Sequence, residues 1–316
     1  MKHVVSISGG KDSTATYLFA LEYAAKHGFE FIAVMADTGN EHPATIDYAL
    51  NLPRLTGGPE VRLVKADFSA QIAAKRRFIA NDQRHGRKKG RRVRWTNSAK
   101  RRALEILQPT GNPYLDLCLW KGRFPSRMGQ FCTYELKIAP IMEQVVLPIL
   151  ESGERVMSWQ GVRAEESLKR AGQPRFEHRG GGYWIWRPIH RWSVDAVFAI
   201  HHRHNVPPNP LYLQGMSRVG CMPCVNCQKR EIHEISERFP EHIQRIAEWE
   251  DIVSQASKLG RATFFPSPSN NGRNRWRGGR IDRHVEWSKT TRGGRQYDLL
   301  AHCAPPVCAS AYGLCE

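Results

Sequence analysis

The beginning of the chain constrains the fold more than any other segment. Residues 3–7 form an apolar, β-branched run that predicts a buried strand, and a Gly9-Gly10 turn follows it. In residues 14–27 the apolar side chains recur on one face of a helix, which we expect to end near Gly28. A strand joined to a helix by a tight glycine turn is the first half of a βαβ unit. The segment therefore predicts a parallel sheet.

The same alternation continues along the chain. Further strands are predicted at residues 29–36, 61–65 and 156–162, and further helices at residues 44–50, 134–150, 229–259 and from an N-cap at Ser193 onward. Strands that alternate with helices are typical of right-handed crossovers. We therefore predict an α/β fold, a doubly wound parallel sheet over residues 1–210. A basic insertion at about residues 70–124 interrupts it, and a smaller helical, cysteine-containing region follows at residues 211–316.

Composition excludes several classes of protein. The 316 residues are 41% hydrophobic, enough for a sizeable core. The sequence has no apolar run of about 18 residues and no signal-peptide pattern, so we expect a cytoplasmic protein without a membrane partner. Eight cysteines in such a chain favour thiol chemistry or metal ligation over a disulfide scaffold.

The net charge of +17 resides in two segments, and the rest of the chain is close to neutral. Residues 75–102 contain thirteen Lys or Arg and one acid, Asp82, and residues 273–295 contain eight basic residues and two acids. Both segments also contain tryptophan, and Trp95 is a candidate for stacking on a base. The two segments predict a nucleic-acid partner, DNA or tRNA. The alternative is a solvated, charged insertion.

A candidate phosphate site lies between the first strand and the first helix. Its residues are Ser8, Gly9, Gly10, Lys11, Asp12 and Ser13. Glycines allow the backbone to approach phosphate closely, the helix N-terminus attracts anions, and Lys11 adds a cation. Asp37 and Thr38 follow the second strand and are expected to face the same crevice. The alternative for the loop is an ordinary glycine turn, and for Asp37 a polar turn.

The loop resembles the pyrophosphate-binding loop of the PP-loop ATP pyrophosphatase superfamily, whose fold is adenine nucleotide alpha hydrolase-like. Four other segments resemble its phosphoadenosine phosphosulfate (PAPS) reductase branch: residues 37–41, residues 131–140 (FCTYELKIAP), residues 161–167 (GVRAEES), and Arg187-Pro188-Ile189 with Trp192-Ser193. The chain is thus similar to the PAPS reductase family. Within the superfamily it is also similar to the ATP pyrophosphatase of DNA phosphorothioation.

The resemblance implies ATP and Mg²⁺ as cofactors, with cleavage between the α and β phosphates. It implies catalytic roles for Lys11, Asp12, Lys137 and Arg163. It also assigns nucleotide binding to the six loop residues and to Asp37, Thr38, Gly161 and Arg163. For Lys137 and Arg163 the alternative is a solvated surface cation.

The cysteine spacing predicts a metal site. Cys221, Cys224 and Cys227 form two overlapping Cys-x-x-Cys steps, and Cys308 and Cys315 form another close pair. We predict ligation by Cys221, Cys224, Cys308 and Cys315, with Cys227 and Cys303 as substitutes. The resemblance favours a [4Fe–4S] cluster over Zn²⁺, which thiolate ligation alone does not separate. Free cysteines remain the alternative, and Cys132 is either a reactive thiol or a packing residue.

These features predict an ATP pyrophosphatase that adenylates a substrate, expected to be nucleic acid, for sulfur transfer, with a cysteine desulfurase as the sulfur source. The intact loop favours this activity, as does the lack of the Glu-Cys-Gly-x-x-His segment of redox-cysteine PAPS reductases. One alternative is a sulfonucleotide reductase. The other is a non-catalytic nucleic-acid-binding module regulated by nucleotide.

Overall fold

The computed structural model describes residues 1–88, 90–267 and 277–291, which form two compact units. In the described chain the first unit comprises Met1–Lys65 and Lys137–Cys221. The second comprises Ala66–Leu136 and the described residues from Met222 onward. The domain limits proposed from the sequence stay predictions.

The first unit is built on a six-stranded sheet. Strands of the chain are β1 (Lys2–Ile7), β2 (Phe31–Asp37), β3 (Val61–Lys65), β4 (Arg87–Lys88), β5 (Arg91–Arg92), β6 (Val156–Trp159), β7 (Phe176–His178) and β8 (Tyr183–Trp186). The sheet has the order β3-β2-β1-β6-β8-β7, and every pair is parallel except β7 with β8. The predicted α/β fold with a parallel sheet is confirmed.

Both faces of this sheet are covered, as in a doubly wound fold. Neighbouring residues of β1 point to opposite sides. Val5 packs in an apolar cluster with helices α1 (Lys11–His27), α2 (Pro43–Thr56) and α10 (Val194–Arg203). Val4 packs in a second cluster with Val145 and Val146 of the helical stretch that precedes β6. Strands buried on both faces explain why the predicted strands are apolar runs without alternation.

The remaining helices of the described chain are α3 (Ser69–Ala80), α4 (Asn97–Ile106), α5 (Pro113–Lys121), α6 (Phe131–Thr133), α7 (Ala139–Ile141), α8 (Leu147–Glu151), α9 (Leu168–Ala171), α11 (Pro210–Leu213), α12 (Lys229–Arg238), α13 (Pro240–Ala256) and α14 (Ile281–Ser288). Short 3₁₀ helices occupy Ala164–Glu166 and Arg277–Gly279, and π-helices occupy Tyr134–Ile138 and Met142–Val146. None of the helices in the described ranges is long and apolar enough to cross a membrane.

Several element boundaries differ from the prediction, and one predicted helix is irregular. The first helix begins at Lys11 rather than at residue 14, and β6 ends at Trp159 rather than at residue 162. The helix expected at residues 134–150 is a chain of α and π turns, in which Pro140 and Pro148 each follow a π-helical segment. Proline lacks the amide hydrogen that a regular turn needs, so the wider turns accommodate it.

The second unit is helical apart from a short hairpin of β4 and β5. The single helix expected at residues 229–259 is wrong, because Pro240 begins a new helix after Phe239. The unit has its own aromatic core, in which Tyr114 stacks on Trp249 and Phe264.

Strand order places a crevice next to β1. β1 lies between β2 and β6, so the chain progresses outward in opposite directions on the two sides of β1. Ligands of open α/β sheets bind beyond the carboxyl ends of the strands at such a switch point. The loops after β1 and after β6 both lie at this position.

Candidate nucleotide-binding site

Gly9 gives the loop after β1 its shape. Its φ is +71°, in the left-handed region that favours glycine. A Cβ built on Gly9 would lie 2.6 Å from the carbonyl oxygen of Thr45, in α2. No other residue fits at this position without moving α2.

The serine hydroxyls of the loop bond to the loop itself. Ser13 Oγ accepts hydrogen bonds from Ser8 N at 3.1 Å and from Ser8 Oγ at 3.0 Å, and it donates to the carbonyl of Gly10 at 2.9 Å. Both serines therefore close the turn in this structure. Their predicted contact with phosphate stays a prediction.

The start of α1 combines a helix dipole with a buried cation. Its N-cap residue is Gly10, which has no side chain of its own to cap the helix. Lys11 is 7% exposed, its Nζ lies 3.5 Å from Asp12 Oδ2, and the ring centre of Tyr212 is 5.6 Å away. The partial positive charge of a helix N-terminus and a desolvated ammonium both favour an anion at this point.

Arg163, after β6, reaches the same turn. The guanidinium is 4% exposed and donates through Nε to Asp12 and through Nη1 to Glu165, at 2.6 Å. Burial alone would lower the pKa of Arg163, but the carboxylates of Asp12 and Glu165 outweigh it and raise the pKa. Gly161 permits the approach of the two loops, since a Cβ there would lie 2.9 Å from Asp12 O. The structure thus brings together Lys11, Asp12, Gly161 and Arg163.

Asp37 and Thr38, at the end of β2, are buried and paired. Asp37 accepts from Gly39 N at 2.8 Å and forms an ion pair with Lys65 at 2.7 Å. Thr38 Oγ1 donates to the Glu41 carboxylate at 2.7 Å, and Cys221 Sγ lies 3.5 Å from Glu41 Oε1. The polar side chains after β2 are therefore held in place by hydrogen bonds and ion pairs within this region.

Three residues at the loop were not predicted. Asn209 Nδ2 donates to Gly9 O at 3.0 Å, Tyr212 Oη accepts from Lys11 N at 3.2 Å, and His201 Nε2 lies 3.0 Å from Lys11 O. Burial lowers the pKa of His201. The Asn209-Pro210 pair, an N-cap before a proline, was the one local signal available in the sequence. Its contact with Gly9, two hundred residues earlier, has no sequence signature.

Lys137 lies half-buried in the π-helical segment Tyr134–Ile138. Its predicted role at the nucleotide stays a prediction.

Cys224 and Cys227 form a tight turn in the second unit. Cys224 N donates to Cys227 Sγ at 3.1 Å, and Asn226 N donates to Cys224 Sγ at 3.5 Å. Amide donors to sulfur stabilise thiolates, so this pair suits a soft metal such as Zn²⁺ or iron in a cluster. Cys303, Cys308 and Cys315 lie outside the described residues, and the four-thiolate set stays a prediction.

Some cations of the basic segment 75–102 stabilise the fold through internal hydrogen bonds. Lys75 Nζ donates to Leu119 O at 2.6 Å, and burial lowers the pKa of Lys75 to about 8. Other internal donors to main-chain carbonyls are Arg76, Lys100 and Arg102. Trp95 is 7% exposed, so the expectation that its ring stacks on a base is wrong. Residues 273–276, with Trp276, and residues 292–295 of the second basic segment lie outside the described residues.

Comparison with known proteins defines the family. The sequence model of the phosphoadenosine phosphosulfate reductase domain family matches residues 2–227, which span the whole six-stranded sheet and the loop after β1. This chain belongs to that family. A PAPS reductase domain is related to sulfonucleotide reductases and belongs among nucleotide-using enzymes.

Relatives range from full-length to local. An uncharacterized 37.8 kDa protein of Escherichia phage 186 is 46% identical over 99% of this chain and 96% of that protein. An uncharacterized protein of Methanocaldococcus jannaschii is 24% identical over 80% of this chain, and the match covers 41% of that protein.

The adenosine 5'-phosphosulfate reductase of Allochromatium vinosum is 42% identical over 65 residues, 20% of this chain and 25% of that protein. The crystal structure of phosphoadenylyl-sulfate (PAPS) reductase from Candida auris in its phosphate complex aligns with a TM-score of 0.38 and 15% identity. That alignment covers 71% of this chain and 83% of the other.

Proposed function

We propose that this family member is an ATP pyrophosphatase that adenylates an acceptor for sulfur transfer. The observation that carries the proposal is the turn after β1. There, a glycine at positive φ, the N-terminus of α1 and a buried lysine meet at the switch point of the sheet. These groups fit a chain of phosphates, because a helix N-terminus and a buried cation both attract anions.

In the proposed reaction an oxygen of the acceptor attacks the α-phosphorus of ATP. The bond between that phosphorus and the bridging oxygen breaks, and pyrophosphate leaves with the electron pair. Lys11 and the backbone amides at the start of α1 stabilise the negative charge on pyrophosphate. When bound, Mg²⁺ neutralises phosphate oxygens.

Arg163 is proposed to hold the adenylate. Its ion pair with Asp12 orients it, since Asp12 lies in the first turn of α1 beside Lys11. Lys137 is proposed as a second cation for the same phosphate. The terminal sulfur of a persulfide formed by a cysteine desulfurase then attacks the activated centre, and AMP leaves with the acceptor oxygen. A second thiol cleaves the remaining S–S bond, which leaves sulfur on the acceptor, and is itself oxidised to a disulfide. We further propose a [4Fe–4S] cluster in preference to Zn²⁺, held by thiolates that include Cys224.

The test is the yield of pyrophosphate and AMP from magnesium-ATP, with and without DNA or tRNA. Lys11→Ala is expected to reduce pyrophosphate release by about 10²-fold, the typical loss of one charge-stabilising donor. Lys26→Ala, an exposed lysine near the other end of the same helix, is the matched control and should retain full activity. Equal rates for Lys11→Ala and wild type would contradict the mechanism.

The second candidate is sulfonucleotide reduction, which is favoured by the local identity to adenosine 5'-phosphosulfate reductases. Sulfite release from a sulfonucleotide with a thiol donor, without pyrophosphate release from ATP, would establish it. ATP binding without any turnover, together with an affinity for DNA or RNA that falls steeply with salt, would establish the third alternative, a regulated nucleic-acid-binding module.

A further inference from the structure

The hairpin of β4 and β5 breaks a local rule of sheet stability. Its register places Arg87 opposite Arg92 and Lys88 opposite Arg91. Like charges directly opposite each other in an antiparallel pair are destabilising. The sequence has no acid between Asp82 and Glu105, so nothing local offsets this repulsion.

Four described cations in and next to the hairpin are exposed and unneutralised. Arg87, Lys88, Arg92 and Arg94 are all exposed, and within the described residues none of them forms an ion pair. Gly86 and Gly90, at φ of +94° and +74°, stand in open space. The cations that stabilise the fold, such as Lys75 and Arg76, are different residues.

The base of the hairpin is firmly attached to the second unit. Lys258 Nζ donates to Arg92 O at 2.7 Å, and Arg84 Nη2 donates to Val93 O at 3.1 Å. Arg84 is held by Asp82, which also accepts from the backbone of buried Trp95 at 2.8 Å. The contacts hold a ribbon of like charges in place despite its repulsion. Such conflicts between local preference and fold are typical of functional sites.

We propose that the β4–β5 ribbon binds the phosphate backbone of double-stranded DNA. A two-stranded ribbon fits the major groove of B-form DNA, whereas the major groove of A-form RNA is too deep and narrow. Binding of single strands relies on aromatic stacking platforms, and residues 83–94 contain no Phe, Tyr or Trp. Binding of duplex DNA to the ribbon does not depend on the proposed function. Only the further step, that the bound duplex is the acceptor of the reaction, rests on it.

The experiment measures affinity by fluorescence anisotropy without ATP, so its outcome is independent of catalysis. The probes are a DNA duplex of about 20 base pairs, the single strand of equal length and an RNA duplex, each titrated between about 50 and 200 mM salt. We expect the DNA duplex to bind tightest. Equal or tighter binding of either other probe would overturn the proposal.

The variant Arg87→Ala/Lys88→Ala/Arg92→Ala is expected to reduce the slope of log affinity against log salt by about three. Lys26→Ala/Arg54→Ala/Arg62→Ala removes three exposed cations of the first unit and should leave the slope unchanged. Equal slopes for the hairpin variant and wild type would overturn the assignment.

Arg92→Glu separates binding from folding. It replaces a repulsive pair with an attractive one opposite Arg87, so the thermal midpoint should rise while affinity for duplex DNA falls. A purely structural hairpin predicts unchanged DNA affinity in this variant, and that result would contradict the proposal.

Discussion

At the residue scale, Gly9 and Gly28 separate two reasons why a glycine is needed. Both have a φ close to +70°, but a Cβ at Gly28 would meet nothing within 4 Å, whereas at Gly9 it would overlap Thr45. The cost of the left-handed conformation is about 1 kcal/mol for alanine. Only Gly9 adds a steric conflict with another element.

We predict that Gly28→Ala lowers the free energy of unfolding by about 1 kcal/mol and leaves nucleotide affinity intact. Gly9→Ala should lower the free energy of unfolding at least about twice as much and abolish nucleotide binding, because α2 must shift. Chemical denaturation and calorimetry of ATP binding measure the two effects. Equal stability losses in the two variants would show that the overlap with Thr45 is relieved without cost.

Arg163 and Arg170 form a second matched pair. Arg163 is buried against Asp12, whereas the ion pair of Arg170 with Glu166 is partly exposed. Arg163→Ala leaves Asp12 in a half-buried site without its main partner, which predicts a loss of about 3 kcal/mol of unfolding free energy. Arg170→Ala should cost about 0.5 kcal/mol or less. If denaturation gives similar losses of unfolding free energy for the two variants, the buried ion pair of Arg163 with Asp12 contributes no more than an exposed one.

At the scale of elements, the segment from Val206 to Tyr212 positions the phosphate loop. Asn209 is fully buried, caps α11 through Leu211 N at 3.0 Å, and donates to Gly9 O. The Asn209 side chain therefore joins the start of α11 to the loop after β1. The same segment is held at Pro207, whose carbonyl accepts from Tyr48 Oη at 2.8 Å.

Asn209→Ala removes both a helix cap and a partner of the loop. We predict a loss of about 2 kcal/mol in unfolding free energy together with weaker ATP binding. Ser193→Ala is the control, since Ser193 only caps α10 through Ala196 N, and it should cost about 1 kcal/mol with unchanged ATP affinity. If ATP affinity falls equally in both variants, the contact with Gly9 has no specific role.

The sequence predicted elements whose signals are local. β3 coincides with its predicted range, and the Ser193 N-cap and the helix after it are confirmed, because side-chain periodicity and capping are properties of neighbouring residues. The π turns before β6 and the break at Pro240 were missed because a proline within an apolar pattern does not show how the backbone adapts. The roles of Asn209 and Tyr212 at the loop and the burial of Trp95 arise from contacts between residues far apart in the sequence. The periodicity of side chains contains no information on such contacts.

At the scale of the whole molecule, the net charge of +17 has two structural roles. Some cations of segment 75–102 satisfy main-chain carbonyls inside the second unit, whereas others stand on the exposed β4–β5 ribbon. A count of basic residues therefore overstates the surface that is available to a polyanion. The nucleic-acid contact expected from the sign and position of this charge stays a prediction.

Global stability should depend on pH through Glu250. Burial raises the pKa of Glu250 to about 7 from its ordinary value of 4.5, although Phe264 N and Ile281 N donate to its carboxylate. Between these values the folded protein holds a proton that the unfolded chain has released. The contribution of Glu250 to stability is therefore present at low pH and is lost as pH rises from 4.5 to about 7.

We predict that unfolding free energy decreases less between about pH 5 and about pH 8 in Glu250→Gln than in wild type. Denaturation of both proteins at the two pH values measures this change in unfolding free energy. Other titrating groups, such as His201, contribute equally to both proteins, so their contribution cancels in the comparison. Identical pH dependence in both proteins would show that Glu250 does not hold a proton in the folded state.

The most direct test of the proposed activity is the identity of the phosphorus products of ATP. Phosphorus NMR of a reaction that contains magnesium-ATP, acceptor DNA and the purified protein distinguishes the two bonds that can break. The site at the start of α1 predicts pyrophosphate with an adenylate or AMP, and loss of both in Lys11→Ala. ADP with inorganic phosphate would contradict cleavage between the α and β phosphates. Unchanged ATP under all conditions would contradict the activity itself.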